Sequence, residues 1–217
     1  MSLSSVLWLV FDEADRLFEN GFEKQIDEII KSCDNENRRC ALFSATLPQR
    51  VEELARTVLY DPVRITIGSR NSAATTVDQG LVFVGKESGK IPAVLQIIRE
   101  GIQPPVLIFT QSKNRASDLF EELVLDGLRV DMIHADRTKA QRDDIVRRFR
   151  EGKIWFLIAT DVLARGVDFK GVNFVINFDF PSSAVDYIHR IGRTGRAGRS
   201  GKAVTLFTSA DAPMLRK

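Results

Sequence analysis

The sequence predicts an α/β protein built on parallel sheets and divided into two units. Three observations carry that prediction. Short apolar, β-rich runs alternate with amphipathic helical patterns along the chain, one small and polar stretch interrupts the alternation, and polar residues gather just after the apolar runs. A parallel strand can be reached only through a crossover, usually a helix, so such alternation gives a sheet with helices on both faces.

The first series reads "VLWLVF", "EKQIDEIIKS", "RCALFSA", "PQRVEELARTVL" and "VRITI", a βαβαβ succession ending at Ile67. The second reads "GLVFVG", a helix from Lys90 to Arg99, "PVLIFT", a helix from Ala116 to Leu125, "LRVDMIH", a helix from Lys139 to Arg150, "IWFLIAT", "VNFVINF", a helix from Ala184 to Ile191, and "KAVTLF". Between them "GSRNSAATTVD", Gly68 to Asp78, has the composition of an interdomain linker. The expected organisation is therefore residues 1–67, a linker over 68–78, and residues 79–217.

With 217 residues, 44% hydrophobic and 28% charged, the chain has room for one large or two small domains. No apolar run approaches the roughly 20 residues of a membrane span, and the start "MSLSSVLWLVFDEAD" lacks a basic flank and cleavage site, so the expectation is a protein inside a cell with no membrane partner. A net charge of +2 does not by itself point to a polyanion, so any such site must come from local clustering. Cys33 and Cys40 lack His or Cys partners at zinc spacing and read as reduced structural thiols. Trp8 and Trp155, inside strand-like runs, read as core, and His134 reads as a satisfied histidine at a strand end.

One such cluster is "HRIGRTGRAGRSGKA", His189 to Ala203. It carries Arg190, Arg193, Arg196, Arg199 and Lys202 at every third position, with no acidic residue and a glycine before each of the last four. Its Gly-X-Y triplets contain no proline, which excludes a collagen tract. A solvated charge run is the plain alternative. The strand-like "KAVTLFT" that follows implies folded surroundings instead, and a basic segment held inside a fold faces an anion.

In doubly wound sheets ligands bind at the carboxyl ends of the strands. Those positions hold Asp12 and Glu13, Ser44 and Thr46, Thr110 to Ser112, His134, and Thr160 with Asp161. "LWLVFDEAD" delivers Asp12, Glu13 and Asp15 to a strand end. That is how nucleotide hydrolases hold Mg²⁺, although acids capping a helix start would look the same.

Taken in order, "DEAD" (Asp12 to Asp15), "SAT" (Ser44 to Thr46), "LIFTQSK" (Leu107 to Lys113), "ATDVLARGVDF" (Ala159 to Phe169) and "YIHRIGRTGRAG" (Tyr187 to Gly198) resemble the DEAD-box RNA helicases of superfamily two. "DFKGVNFVINFDFPSSAVDYIHRIGRTGRAG" and "IGSRNSA" resemble the Rok-type subgroup associated with small-subunit ribosomal RNA maturation. The resemblance implies two RecA-like doubly wound parallel-sheet domains, the first only partial, that use ATP and Mg²⁺.

By that resemblance Asp12 reaches Mg²⁺ through water and Glu13 orients and deprotonates the attacking water. Ser44 and Thr46 link Asp15 to His189, and Asp168 binds the nucleotide ribose with Gly166 allowing close approach. Gln111, Ser112, Arg142 and Thr160 meet the phosphates and 2′-hydroxyls of one RNA strand, without base readers. Arg193 and Arg196 are the arginine fingers on the γ-phosphate, suited to it by a permanently charged fork that meets phosphate oxygens bidentately. Arg190 braces its helix, while Arg199 and Lys202 stay solvated. Lys139 stands where many relatives carry glutamine. The implied setting is the nucleus or nucleolus, on pre-ribosomal RNA and with protein cofactors, although the chain shows no targeting signal of its own.

No GxxxxGK[ST] cradle occurs, and "GRSGKA" ends in Ala203 outside a strand-to-helix turn. The expectation is a piece of a helicase. Two readings follow: an ATP-dependent RNA helicase, or a truncated RNA-binding module without turnover. The first 67 residues are expected to form a sheet short of neighbours, with an exposed apolar edge.

Overall fold

The computed structural model describes residues 2–19, 21–67, 75–161, 169, 171–196 and 198–216. It divides into two compact units, Met1–Ser72 and Ala73–Lys217.

In the first unit, β1 (Trp8–Phe11) and β2 (Arg39–Leu42) form a two-stranded parallel sheet, with Trp8 opposite Arg39 and Phe11 opposite Leu42. Three helices accompany them: α1 (Ala14–Glu19), α2 (Glu23–Ser32) and α3 (Gln49–Val58). Side chains alternate along a strand, so Leu9 and Phe11 turn inward to a core with Ala14, Ile26, Val51 and Val58. Trp8 and Val10 point the other way and stand 65% and 54% exposed. Trp8 is therefore not a core residue, because among the described residues nothing covers that face of β1 and only Arg39 sits over its ring, at 5.8 Å. "VRITI" joins no sheet either: Val63, Ile65 and Ile67 are 88%, 82% and 95% exposed. Its alternation suits a strand, but a strand needs a partner's backbone, and among the described residues none is in register with it.

The second unit holds a six-stranded, wholly parallel sheet. Its strands are β3 (Val77–Phe83), β4 (Val106–Thr110), β5 (Val130–Ile133), β6 (Phe156–Thr160), β7 (Phe174–Asn177) and β8 (Gly201–Phe207), in the order β3-β8-β7-β4-β6-β5. β3 begins inside the stretch that reads as linker, and most of that stretch, 68–74, lies outside the described residues. Helices α4 (Lys90–Arg99), α5 (Lys113–Leu125), α6 (Lys139–Arg150) and α7 (Ala184–Ile191) pack on the sheet. Every residue of β4 is buried. Leu107 and Phe109 face Ile145 and Phe149 of α6 and Ile191 of α7, whereas Val106 and Ile108 face Val94 of α4 and Leu119 and Leu123 of α5. A continuous apolar run is what a parallel strand covered on both faces requires. Burying each such side chain contributes about 1.5–3 kcal/mol.

Hydroxyl caps set where these helices start. Ser112 accepts the Arg115 amide at 3.3 Å, so α5 begins three residues earlier than apolar periodicity alone indicates. Thr138 and Gln141 form a reciprocal capping box on α6, and Ser183 accepts the Asp186 amide at 3.0 Å on α7. Trp155 precedes β6 on the opposite rim of the sheet, half-exposed beneath Arg129 at 4.8 Å, and is likewise not core. Cys33 and Cys40 are free thiols, the former buried. No described helix is long and apolar enough to cross a membrane.

Candidate functional site

In the first unit the chain leaves β1 through Asp12 and Glu13. Glu13 adopts a left-handed backbone (φ 49°), a conformation that costs a non-glycine residue about 1–3 kcal/mol and that clusters at functional turns. The exposed Asp12 accepts the Glu13 amide at 2.9 Å through Oδ1. One solvent-facing carboxylate suits Mg²⁺, which keeps several waters and takes one or two carboxylates. Among the described residues no group of three or more His, Cys, Asp or Glu forms a protein-ligated metal centre. Asp15 is buried, and its Oδ2 accepts Thr46 Oγ1 at 2.6 Å and the Thr46 amide at 3.1 Å. Ser44 Oγ accepts the Asp15 amide at 3.1 Å and donates to the Thr46 carbonyl at 2.6 Å. The structure thus brings Asp15, Ser44 and Thr46 together. Asp15 follows β1 while Ser44 and Thr46 follow β2, and the pairing of the two strands, with Phe11 opposite Leu42, brings their ends together.

In the second unit, register brings four strand ends into a row. Thr110 pairs with Thr160, Ile133 with Ala159, and Phe109 with Asn177. The carboxyl edge therefore reads, in sheet order, Asp179 after β7, Gln111 and Ser112 after β4, Thr160 and Asp161 at the end of β6, and His134 after β5. Gln111 and Ser112 are exposed and Thr160 half-buried. Arg142 lies on α6, the helix after β5, with a buried Nε that has no hydrogen-bond partner among the described residues. His134 departs from expectation: its Nδ1 is buried and has no hydrogen-bond partner among the described residues, although its carbonyl accepts the Arg137 amide at 3.1 Å. Gly166 and Asp168 lie outside the described residues.

The basic stretch starts on α7. Arg190 is buried and forks onto Asp161, Nε to Oδ1 at 2.6 Å and Nη2 to Oδ2 at 2.7 Å, while its Nη1 donates to the Asp179 carbonyl at 2.6 Å. It braces α7 against the ends of β6 and β7. His189 precedes it on the same helix. Arg193 is buried with Nε on the His189 carbonyl at 3.3 Å, and Arg196 is exposed with Nε on the Gly192 carbonyl at 2.6 Å. The glycines serve close approach within this unit. A Cβ at Gly195 (φ 68°) would meet Val77 Cγ2 at 2.6 Å, and one at Gly201 would meet Thr194 Oγ1 at 2.1 Å. Arg199 and Lys202 are exposed.

Two family models match this chain: "DEAD/DEAH box helicase" over residues 1–54 and "Helicase conserved C-terminal domain" over residues 89–198. A probable ATP-dependent RNA helicase ddx52 of Dictyostelium discoideum is 60% identical over 99% of the chain. The chain belongs to the DEAD/DEAH box helicases. It spans 32% of that relative and 38% of ATP-dependent RNA helicase ROK1 of Lodderomyces elongisporus, to which it is 57% identical over 97% of its own length. Among solved structures, S. cerevisiae Dbp5 bound to RNA and ADP BeF3 matches with a TM-score of 0.83 at 30% identity, covering 96% of this chain and 55% of that one.

Sequence reasoning missed Asp179. Its carboxylate, 1% exposed, accepts Lys90 Nζ at 3.0 Å, Arg115 Nε at 2.7 Å, Arg115 Nη2, and the Gln111 amide at 2.9 Å. Glu87 completes the cluster, 3.0 Å from Lys90 and 2.6 Å from Arg115. Burial on its own would raise the Asp179 pKa, but the hydrogen bonds from Arg115, the Gln111 amide and Lys90 outweigh it and hold the carboxyl below the usual carboxylate range. The signal was available: "VNFVINFD" ends an apolar strand in an acid just as "LWLVFD" does.

Proposed function

We propose that the parent protein is an ATP-dependent RNA helicase. It grips one RNA strand along backbone and sugar, separates short duplexes, and releases the strand after hydrolysis. What supports the reading is the row of strand ends in the second unit, where Gln111 and Ser112 follow β4 and Thr160 ends the neighbouring β6, in a chain whose relatives carry that name. Gln111, Ser112, Arg142 and Thr160 contact phosphates and 2′-hydroxyls. In the first unit Asp12 would hold Mg²⁺, which when bound would neutralise phosphate charge, and Glu13 takes the proton of the attacking water. Arg193 and Arg196 meet the γ-phosphate, with Gly166 and Asp168 at the ribose. Asp15, held by Ser44 and Thr46, works with His189 to make turnover depend on domain closure. Pre-ribosomal RNA in the nucleolus is the substrate setting that the Rok-type resemblance favours, with protein cofactors supplying target choice.

For the 217 residues alone a second reading stands, an RNA-binding module without turnover. It is favoured by the absence of GxxxxGK[ST] from this sequence, since β- and γ-phosphates then lack a cradle of amides and a lysine.

The test is RNA-stimulated ATP hydrolysis by the full-length protein. Arg193→Ala and Arg196→Ala are each expected to slow turnover by about 10³-fold or more. Normal turnover in either variant defeats the arginine assignment, and a wild-type protein that hydrolyses no ATP defeats the helicase reading.

A further inference from the structure

We propose that Asp179 is a positioning residue that ties the RNA-facing loop after β4 to the arginine-bearing helix α7. The inference rests on the RNA and ATP roles proposed above and adds to them a physical connection inside the second unit.

The side chain and the main chain of this one residue hold two different elements. Its carboxylate accepts the backbone amide of Gln111, the first residue beyond β4, and the Gln111 side chain returns a second bond, Nε2 to the Phe180 carbonyl at 3.2 Å. Arg115, in the first turn of α5, binds both carboxylate oxygens. The loop carrying Gln111 and Ser112 is thus fixed at its start and at the helix that follows. The carbonyl of the same Asp179 accepts Arg190 Nη1, and Arg190 also grips Asp161 and stacks over the Phe109 ring at 5.3 Å. Arg190 belongs to α7, which leads directly into Arg193 and Arg196.

A buried carboxylate with four donors from three segments has no room to slide. Displacement of the Gln111 backbone must break one of its bonds or move Asp179, and moving Asp179 moves the acceptor of Arg190. Lys90 and Arg115 also belong to the argument, because buried ion pairs contribute little to net stability against apolar isosteres. Their better-attested use is to fix geometry, and the geometry fixed here is that of the loop. A contiguous network is the physical requirement for coupling, and the coupling itself is what an experiment must measure.

The readout is the ratio of RNA affinities of the full-length protein with and without a non-hydrolysable ATP analogue, using a fluorescent single-stranded oligouridylate. Asp179→Asn keeps shape but turns an amide toward Lys90 and Arg115, and it is expected to reduce the ratio by about tenfold. Arg115→Gln, at a partly exposed side chain, is expected to reduce it in the same direction and serves if Asp179→Asn does not fold. Asp131→Asn breaks a comparable pair with Arg148 (2.9 Å) away from the loop and is expected to leave the ratio unchanged. A wild-type ratio retained in folded Asp179→Asn and Arg115→Gln overturns this inference alone. A wild-type protein that binds no RNA overturns it together with the proposed function.

Discussion

β4 of the second unit is buried at all five residues, whereas β1 of the first buries only its inward side chains and leaves Trp8 and Val10 in solvent. Both are apolar strands ending in polar residues, and both begin as the same kind of sequence. The difference lies in what flanks them. β4 has β6 and β7 on either side and helices over both faces, while β1 has, among the described residues, β2 alone and one covered face. A parallel strand's apolar run is thus a demand for two neighbours and two covers, and the first unit meets that demand only in part among the described residues.

Hydrogen exchange on the 217-residue chain tests this contrast most sharply. Amides of β4 and β6 are expected to exchange only through global opening of the second unit, and those of β1 and β2 through cheap local opening. The difference should reach about three orders of magnitude in protection, equivalent to about 4 kcal/mol. Equal protection in both sheets would remove the contrast. Residues 73–217 expressed alone should retain the slow exchange of β4 and β6.

A smaller effect compares one network in each unit. Arg190→Met strands the Asp161 carboxylate and the Asp179 carbonyl. Breaking a buried pair costs 3–5 kcal/mol, and because Asp161 is a quarter exposed the expected loss is about 2 kcal/mol. Thr46→Val keeps the β-branched shape and removes one hydrogen bond to the buried Asp15 carboxylate, with an expected loss of about 1 kcal/mol. Urea denaturation of each variant decides. If Arg190→Met costs no more than Thr46→Val, Arg190 does not brace α7 in the way its geometry indicates.

Local chemistry was legible in the sequence where it acts over short spans. The continuous apolar run of β4, the periodicity of α6 and the acid at the end of β1 all announce themselves within ten residues. "VRITI" shows the limit: its alternation specifies a strand but says nothing about whether a partner backbone stands beside it. Trp8 misled for the same reason, since exposure depends on a missing cover rather than on the residue. The place of Asp179 at a strand end was readable, but its partners were not, because Lys90 and Arg115 lie 89 and 64 residues away and meet it only once β4 and β7 pair. The motif residues Gln111, Thr160 and Arg190 were found by pattern, whereas their adjacency comes from strand order, which no single stretch encodes.

Acid is expected to narrow slightly the stability difference between the two units. Because Asp179 has a lower pKa folded than unfolded, its contribution is complete above about pH 4, the unfolded value, and is lost as pH falls through the lower folded value. The contribution is modest, since burial opposes the donors. Asp136 titrates in the same direction at the surface, held low by the Lys113 hydrogen bond at 2.6 Å. Salt separates the two, because screening weakens an exposed pair and leaves a buried one nearly intact. Urea midpoints of the second unit, followed from pH 6 to pH 3 in high salt, should therefore fall more steeply for wild type than for Asp179→Asn. Parallel slopes would mean that Asp179 is not held as a buried carboxylate by Arg115, Lys90 and the Gln111 amide.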